Sequence, residues 1–231
     1  MSRDRYARSE ALLGDGSTAV LKRAHIAVFG LGGVGSYTVE ALARMGVGKL
    51  TLIDGDVYSE SNLNRQLFAT EKTLGSVKTE TARARIEEVN SEVEVFTHNL
   101  FVTPDNLSSI DFSSFDYVAD AIDTVSAKLA IIKTAHTLDI PVISAMGAGN
   151  KTDPTLFRVA DIAKTKVCPL ARAVRNGLRR EGILHTKVVY SEETPVSPEA
   201  SESRVPASAS FVPSVMGLIM AGEIIKDILG K

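Results

Sequence analysis

Four glycines, Gly30, Gly32, Gly33 and Gly35, are the most chemically informative feature of the sequence. They lie in the string GLGGVG, directly after the apolar run HIAVF and before a segment with helical periodicity. At such a strand-to-helix turn, free backbone N–H groups and the positive end of the helix face the same point and bind phosphate. The turn therefore predicts a nucleotide site, although close packing alone could also require glycine there.

A carboxylate ends the second apolar run of the chain. Asp54 closes the segment KLTLID, a position from which an acidic side chain accepts hydrogen bonds from ribose hydroxyls. The glycine turn and Asp54 alone are compatible with NAD as well as with ATP.

The loop after Asp54 is dense in groups that bind phosphate. It contains Asp56, Asn62, Asn64, Arg65 and Gln66, and Lys78 opens the next helical segment. The glycine turn largely satisfies the pyrophosphate of a dinucleotide, whereas a triphosphate that loses pyrophosphate needs fixed cations. Arg65 and Lys78 can supply them, so the loop favours ATP. Solvated surface charge is the alternative for both side chains.

Asp123 lies in the string DAIDT, after the fourth predicted strand. The carboxyl ends of parallel strands line the ligand crevice of such sheets. Since Mg²⁺ typically takes one or two carboxylates together with phosphate oxygens and water, Asp123 is a candidate magnesium ligand. The competing interpretation is a helix N-cap for the segment that starts near Thr124.

Strands and helices alternate through the first two thirds of the chain and predict a Rossmann-like, doubly wound α/β sheet that is mostly parallel. We expect a helical arm over 1–24, an ATP-binding domain over 25–150 and a C-terminal extension over 151–231. The predicted strands start at His25, Lys49, Val93, Tyr117 and Pro141, and the predicted helices start at Val34, Lys78 and Ser126. The extension is expected to add antiparallel strands at 156–160 and 187–191, a basic helix at 169–180, a crossover loop at 192–210 and a terminal helix.

Composition excludes several classes of protein. The net charge is −2, the hydrophobic fraction is 44% and the charged fraction is 23%, which are values typical of soluble globular proteins. The charged N-terminus lacks a signal-peptide pattern, so we expect a cytoplasmic protein. The apolar segment 211–229 contains Glu223, Lys226 and Asp227, which favours a packed helix over a membrane span. Because Cys168 is the only cysteine, an intrachain disulfide and a four-cysteine zinc site are both excluded.

Positive charge is concentrated around the predicted helix 169–180. Arg172, Arg175 and Arg179 fall on one helical face, opposite an apolar face that contains Val174 and Leu178. Such a surface can neutralise RNA phosphates, although an ordinary solvated helix face has the same pattern. The candidate RNA-binding residues are Lys164, Lys166, Arg172, Arg175, Arg179 and Arg180.

The strings GLGGVGS, LTLIDGDVYSESNLNRQ and DAIDT, together with Lys78, resemble the E1-like adenylating enzymes in order and spacing. The resemblance implies that Asp54 binds ribose, that Asn62, Arg65 and Lys78 contact phosphate and that Asp123 binds magnesium. In this family an N-terminal RYxR motif supplies an arginine to the ATP site of a partner subunit. The match here is RYAR, so Arg8 is the implied residue and a homodimer the implied assembly.

Within that superfamily, the strings VCPLARAVRNGLRREGI and VVYSEETPV resemble the tRNA threonylcarbamoyladenosine dehydratases. The resemblance implies that ATP activates the carboxylate of a threonylcarbamoyl group on tRNA, and that an atom of the adjacent carbamoyl unit then closes a ring as AMP leaves. A sulfur-relay protein is a possible further partner.

Two other functions remain open, namely adenylation of a ubiquitin-like sulfur-carrier protein and an inactive nucleotide-binding scaffold. Cys168 could receive an activated acyl group, but a spectator thiol is the simpler interpretation. His185 and Asp123 are both conceivable proton acceptors for ring closure.

Overall fold

The computed structural model describes residues 5–196 and 206–231. Residues 1–4 of the predicted arm and 197–205 of the predicted crossover loop lie outside the described residues.

The regular elements follow the predicted alternation of strands and helices. The helices are α1 (Ala7–Leu13), α2 (Ser17–Leu21), α3 (Gly35–Arg44), α4 (Lys78–Val89), α5 (Val125–Thr137), α6 (Pro169–Arg180) and α7 (Phe211–Ile228). The strands are β1 (His25–Phe29), β2 (Lys49–Ile53), β3 (Glu94–His98), β4 (Tyr117–Asp120), β5 (Val142–Ala145), β6 (Phe157–Asp161) and β7 (Lys187–Ser191).

The seven strands form a single sheet in the order β3-β2-β1-β4-β5-β7-β6. All neighbouring strands are parallel except β6 and β7, which pair antiparallel. The chain runs outward from β1 to β3 on one side and then returns to β4 on the other, so the strand order reverses between β1 and β4. Ligands of open α/β sheets bind at this switch point. The predicted mostly parallel, doubly wound fold with an antiparallel C-terminal part is confirmed.

Alternating side chains of the central strands enter two different cores. Ile26 and Val28 of β1 pack with α3, α4 and α7, whereas Ala27 and Phe29 pack with α5 and α6. Both faces of the sheet are therefore buried, which explains the continuous apolar runs of β1 and β2.

The C-terminal extension adds β7 and β6 to the same sheet, and α7 packs against α3. The predicted boundary near residue 150 thus marks a change in strand direction within one continuous sheet. Among the described residues, no helix is both long and apolar enough to cross a membrane.

Candidate active site

A cavity of about 790 Å³ opens at the carboxyl ends of β1, β2, β4 and β5. Most of the nucleotide-site residues expected from the sequence line it together: Gly30, Gly32, Gly33, Asp54, Asp56, Asn62, Arg65, Gln66, Lys78 and Asp123. We call the part lined by the glycine turn, Asp54, Arg65 and Lys78 the nucleotide half. The part beyond β4, lined by residues 146–151, 168–170, Pro195, Pro206 and Ser208, is the distal half.

Two glycines of the turn, Gly30 and Gly35, are required because a side chain at either position would clash with the backbone. Gly30 has φ of +87°, and a Cβ there would lie 2.8 Å from the carbonyl oxygen of Ala121. A Cβ on Gly35 would lie 1.8 Å from the carbonyl oxygen of Gly30, so the helix start and the strand end touch. Gly32 and Gly33 instead face the cavity. Gly35 is required for packing beneath the turn rather than as part of the cavity wall.

Asp54 is oriented by the backbone on both of its oxygens. One oxygen accepts from the N–H of Leu31 at 2.6 Å, and the other accepts from the N–H of Asp56 at 2.8 Å. Each carboxylate oxygen has a second lone pair, so Asp54 can still accept a hydrogen bond from a ligand hydroxyl. Next to it, Leu100, Phe101 and Val102 form an apolar part of the cavity wall.

Lys78 is a buried cation at the start of α4. Its side chain is only 5% exposed, and its Nζ donates to Asp56 Oδ2 at 3.0 Å. Nζ also lies 5.8 Å from the centre of the Tyr58 ring. Burial raises the pKa of Tyr58, and the charge of Asp54 raises it further, so this ring stays neutral beside the lysine. Lys78 is thus held as a fixed positive charge on the cavity wall.

The loop between β2 and α4 is fixed by its own side chains. Asn62 Oδ1 accepts from the N–H of Ser59 at 3.1 Å, which closes a short 3₁₀ turn. Arg65 Nη1 donates to the carbonyl of Ser61 at 2.7 Å and to Asn64 Oδ1 at 2.9 Å. Asn64 in turn donates to the carbonyl of Ser208 at 3.0 Å, which connects this loop to the segment before α7.

Gln66 is 7% exposed and lines the cavity, yet its Oε1 has no hydrogen-bond partner among the described residues. An unpaired buried acceptor is costly unless a ligand or water donates to it. The nucleotide half therefore has an acceptor in place as well as two cations.

Asp123 is exposed and lies in the cavity wall at the end of β4. Within the described residues its side chain forms no hydrogen bond, and the residue at the N-cap position of α5 is Thr124. The N-cap interpretation of Asp123 is therefore wrong, and its carboxylate faces the cavity without a protein partner.

A fully buried ion pair lies directly beneath Asp123. Asp120 Oδ2 accepts from Lys128 Nζ at 2.9 Å and from Ser144 Oγ at 2.5 Å, and all three side chains are buried completely. Asp120 Oδ1 also accepts from the N–H of Ile122 at 3.2 Å. These contacts tie β4, α5 and β5 together at the base of the loop that carries Asp123.

The surroundings of Asp123 limit what metal it could hold. The described residues contain no group of three or more His, Cys, Asp or Glu side chains that could form a metal site. Asp123 fits only an ion that takes its remaining ligands from phosphate oxygens and water, which is how Mg²⁺ binds with a nucleotide. Any such ion would arrive with the nucleotide.

The distal half is built by residues that follow β5. Asn150, which has φ of +57°, pairs its backbone N–H and its Oδ1 with the carbonyl and the N–H of Ala207, both at 2.7 Å. Its own carbonyl accepts from the N–H of Val196 at 2.8 Å. Asn150 thus holds the segment that ends at residue 196 and the segment that begins at residue 206 against the cavity.

Lys151 is a second buried cation on the cavity wall. It is 4% exposed, and its Nζ donates to the backbone carbonyl of Glu193 at 3.0 Å. The Glu193 carboxylate is engaged elsewhere, because it accepts from the N–H and hydroxyl of Thr152 and from the N–H of Asp153. The limited burial of Glu193 raises its pKa, but the bonds from Thr152 and Asp153 and the positive charge of Lys151 outweigh that effect and leave the pKa below its ordinary value.

Cys168 is buried and lines the distal half. Its Sγ would lie 3.5 Å from a Cβ on Gly147, so the thiol packs against the loop after β5. His185, by contrast, is exposed, lies outside the cavity lining and contacts Asp161 Oδ2 at 2.9 Å through Nδ1. This position does not suit a proton acceptor for a reaction in the cavity.

Helix α6 begins at the cavity, where Pro169 and Leu170 line the distal half, and continues outward. Five of the six predicted RNA-binding residues are exposed: Lys164, Lys166, Arg172, Arg179 and Arg180. Arg175 differs, because its Nη1 donates to the carbonyl of Thr165 at 3.0 Å and to Thr165 Oγ1 at 2.5 Å. Arg175 therefore fixes the turn before α6, and the exposed charge lies on the other arginines and lysines.

Arg8 is exposed on α1 and does not line the cavity of its own chain. Tyr6 anchors this arm, since its buried ring would lie 2.8 Å from a Cβ on Gly46 and its hydroxyl accepts from Asn90 Nδ2 at 2.7 Å. Gly46 follows the end of α3, a ten-residue helix about 15 Å long whose start is the glycine turn. Within one chain, the arm is thus attached at the end of α3 opposite to the nucleotide half.

The sequence analysis missed two residues of the cavity wall, Asn150 and Lys151, and two residues of the buried cluster around Asp120, namely Lys128 and Ser144. Lys128, Ser144, Asn150 and Lys151 have no motif of their own, and their roles depend on contacts with residues distant in sequence. One signal was available, because the string MGAGNK follows the fifth predicted strand, at the same sheet edge as Asp54 and Asp123.

Comparison with known proteins identifies the family of this chain. Residues 6–231 match the model of the ThiF family. The chain is 42% identical to the tRNA threonylcarbamoyladenosine dehydratase of Bacillus subtilis, over 97% of this chain and 94% of that one. It also superposes on the crystal structure of E. coli tRNA N6-threonylcarbamoyladenosine dehydratase, TcdA, in complex with ATP, with a TM-score of 0.91. The sequence identity is 36%, and the superposition covers 99% of this chain and 95% of that one.

A less extensive likeness is 36% identity to the adenylyltransferase and sulfurtransferase MOCS3 of Aedes aegypti, over 61% of this chain and 32% of that protein. The family match covers nearly every residue from the RYAR motif to the end of α7, and it includes both halves of the cavity. The chain belongs to the ThiF family.

Proposed function

We propose that the protein is an ATP-dependent enzyme that dehydrates threonylcarbamoyladenosine in tRNA to its cyclic form through an acyl-adenylate. The observation that carries this proposal is the single cavity in which the glycine turn, Asp54, Arg65, Lys78 and Asp123 come together. The choice of substrate is supported by the likeness to the Bacillus subtilis dehydratase, which spans 97% of the chain.

In the first step, a carboxylate oxygen of the threonylcarbamoyl group attacks the α-phosphorus of ATP. The bond from that phosphorus to the bridging oxygen breaks, pyrophosphate leaves and a mixed anhydride with AMP forms. A carboxylate is already ionised, so this step needs positioning and charge neutralisation rather than a base. The glycine turn offers backbone N–H groups, and Arg65 and Lys78 offer fixed positive charge beside the departing pyrophosphate.

In the second step, an atom of the adjacent carbamoyl unit attacks the activated acyl carbon. AMP leaves, a proton is lost and a ring closes, so the net change in the tRNA is the loss of one water. Asp123 is the carboxylate that the cavity wall offers near this point, either as a ligand of Mg²⁺ bound with the nucleotide or as an acceptor of the proton. Mg²⁺, when bound, would neutralise charge on the phosphates.

Asp54 is proposed to hold the ribose, and the apolar wall at 100–102 to contact the adenine. The exposed basic residues of α6 and of the turn before it are proposed to contact tRNA phosphates. Because the proposed substrate is tRNA, we retain the prediction of a cytoplasmic location. A sulfur-relay protein remains a possible partner.

The decisive measurement is nucleoside mass spectrometry of tRNA that carries threonylcarbamoyladenosine, after incubation with the protein and ATP. We expect the loss of one water per modified nucleoside, together with AMP and pyrophosphate formation, and no change without ATP. An unchanged nucleoside with protein that binds ATP would refute the proposal. AMP formation that depends instead on a ubiquitin-like carrier protein would favour the alternative function, which the more limited likeness to MOCS3 supports less.

A homodimer in which Arg8 reaches the partner's cavity is the second part of the proposal. It is supported by the attachment of the arm away from the chain's own nucleotide half. Mixing an Arg8→Ala chain with a Lys78→Met chain tests it. In mixed dimers, one cavity would then combine an intact Lys78 with an intact Arg8, so random mixing should restore about a quarter of the wild-type activity. If both variants are inactive and remain inactive after mixing, Arg8 acts on the cavity of its own chain, and an active Arg8→Ala variant would mean that Arg8 has no role in the reaction.

A further inference from the structure

The proposed nucleotide residues lie at the ends of β1, β2 and β4, and they leave the distal half of the cavity unassigned. In the sheet, β5 follows β4 on the side away from β1 and β2. A ligand that occupies the distal half would therefore lie beyond Asp123, next to the phosphates but not to the ribose. Under the proposed function, this half of the cavity is where the acyl substrate would approach the α-phosphorus of ATP.

Lys151 is the buried cation of the distal half. A lysine ammonium has three N–H donors, and within the described residues Nζ forms one hydrogen bond, to the neutral backbone carbonyl of Glu193 at 3.0 Å. The nearby carboxylate of Glu193 is directed to Thr152 and Asp153. The positive charge of Lys151 acts on that carboxylate through space and helps to lower its pKa. Among the described residues, however, two of the three ammonium N–H donors have no hydrogen-bond acceptor, and an anionic ligand would supply one.

Lys151 differs in this respect from the two other buried lysines that surround the site. Lys78 pairs directly with Asp56 at 3.0 Å, and Lys128 pairs directly with Asp120 at 2.9 Å. Lys151 is held by a backbone carbonyl instead, in a loop that Asn150 attaches on two sides. Lys151 is thus a cation of the cavity lining that the loop holds in a fixed position.

We propose that Lys151 binds the substrate carboxylate and holds it for attack on the α-phosphorus. The inference rests on the proposed function, and it assigns the acyl substrate to the distal half. A charge-assisted hydrogen bond orients the carboxylate, and binding by Lys151 also gives the enzyme a way to distinguish modified from unmodified tRNA before ATP is consumed. The carboxylate must then pass from Lys151 to phosphorus as the P–O bond forms, with pyrophosphate leaving towards Arg65 and Lys78.

The test is equilibrium binding of tRNA without ATP, so that no turnover occurs. Three forms of one tRNA are compared: unmodified, carrying threonylcarbamoyladenosine, and carrying its carboxyl methyl ester. A hydrogen bond to a charged group contributes about 1.5–3 kcal/mol, so the wild-type protein should prefer the free carboxylate over the ester by roughly 10- to 100-fold in Kd. Lys151→Gln keeps a donor for the Glu193 carbonyl but removes the charge, and should lose most of this preference.

The two changes form a double-mutant cycle, in which esterification should have little effect once Lys151 is replaced. Lys133→Gln, an exposed lysine of α5 that pairs with Glu181 outside the cavity, is the matched control and should keep the full preference. If Lys151→Gln does not fold, Lys151→Arg keeps the charge and should keep the preference. Its loss in that folded variant would overturn the proposal.

Three results contradict the assignment. In the first, esterification weakens tRNA binding equally in the wild-type and Lys151→Gln proteins. In the second, Lys151→Gln weakens the binding of all three tRNAs equally. In the third, Lys151→Gln weakens ATP binding but leaves the preference for the free carboxylate unchanged. The last two would assign Lys151 to loop structure and to the nucleotide, respectively. A failure of the proposed function is distinguishable, because it appears as the absence of water loss in the wild-type protein with ATP.

Discussion

The two halves of the cavity are built in different ways. In the nucleotide half, most groups come from the glycine turn and from the segment between β2 and α4, and several are oriented by neighbours close in sequence, as Asp54 is by the N–H of Asp56. In the distal half, the wall is assembled from the loop after β5, the start of α6 and the segments around 195 and 206, which are joined by bonds such as Asn150 to Ala207. The comparison teaches that sequence motifs indicate most of the nucleotide half, whereas the distal half is assembled by contacts between segments that are distant in sequence.

The buried pair beneath both halves should show the largest effect. Lys128→Met leaves the Asp120 carboxylate buried without its cation, and breaking such a pair costs about 3–5 kcal/mol. We expect a reduction of that size in the free energy of unfolding, measured by denaturant titration. The double variant Asp120→Asn with Lys128→Met removes the stranded charge and should recover part of the loss. Equal stability of Lys128→Met and wild type would mean that the pair contributes nothing to the base of the cavity.

Lys78→Met tests the nucleotide half alone. Removing one fixed donor that stabilises developing charge typically lowers kcat by about 10²- to 10³-fold, and we expect AMP formation to fall by that factor. The matched control is Lys72→Met, an exposed lysine of the same loop, which should be close to wild type. AMP formation above a tenth of the wild-type rate in Lys78→Met would remove this lysine from the reaction.

Asn150→Ala tests the distal half alone. The change removes the acceptor for the N–H of Ala207 and places alanine at a φ of +57°, so we expect a local loss of about 1–3 kcal/mol. Faster hydrogen exchange at the amide of Ala207 should report it. The KM for tRNA should rise while the KM for ATP stays near the wild-type value, and a rise confined to ATP would contradict the division into two halves.

The smallest expected effect is a pH dependence of the distal half. The pKa of Glu193 lies below its ordinary value of 4.5, so its bonds to Thr152 and Asp153 stabilise the folded state above that pH. This contribution is lost as the pH falls through the folded-state pKa. Thermal unfolding between pH 3 and 6 should therefore show a smaller decline in Glu193→Gln than in wild type, whereas parallel curves would exclude a contribution from this side chain.

Sequence patterns predicted the parts of the molecule that depend on local interactions. The bounds of α6 and β7 agree with the sequence prediction, because amphipathic periodicity and flanking breakers are local signals. The nucleotide-half residues were found for the same reason.

The contacts of Arg175 could not be predicted from local sequence patterns. Its helical position predicted a solvent-facing cation, but the side chain reaches back to Thr165. The roles of Lys128 and Lys151 likewise follow from partners in other segments, which no pattern in their own neighbourhood indicates.

The bond from Asn64 to the carbonyl of Ser208 crosses the boundary between the two halves. Asn64 also accepts from Arg65, so a ligand that fixes Arg65 also restrains the edge of the opposite wall. Thermodynamic linkage requires any resulting cooperativity to be reciprocal, so ATP and tRNA must alter each other's affinity by the same factor. One hydrogen bond between two loops would thereby couple the affinities of the two proposed substrates.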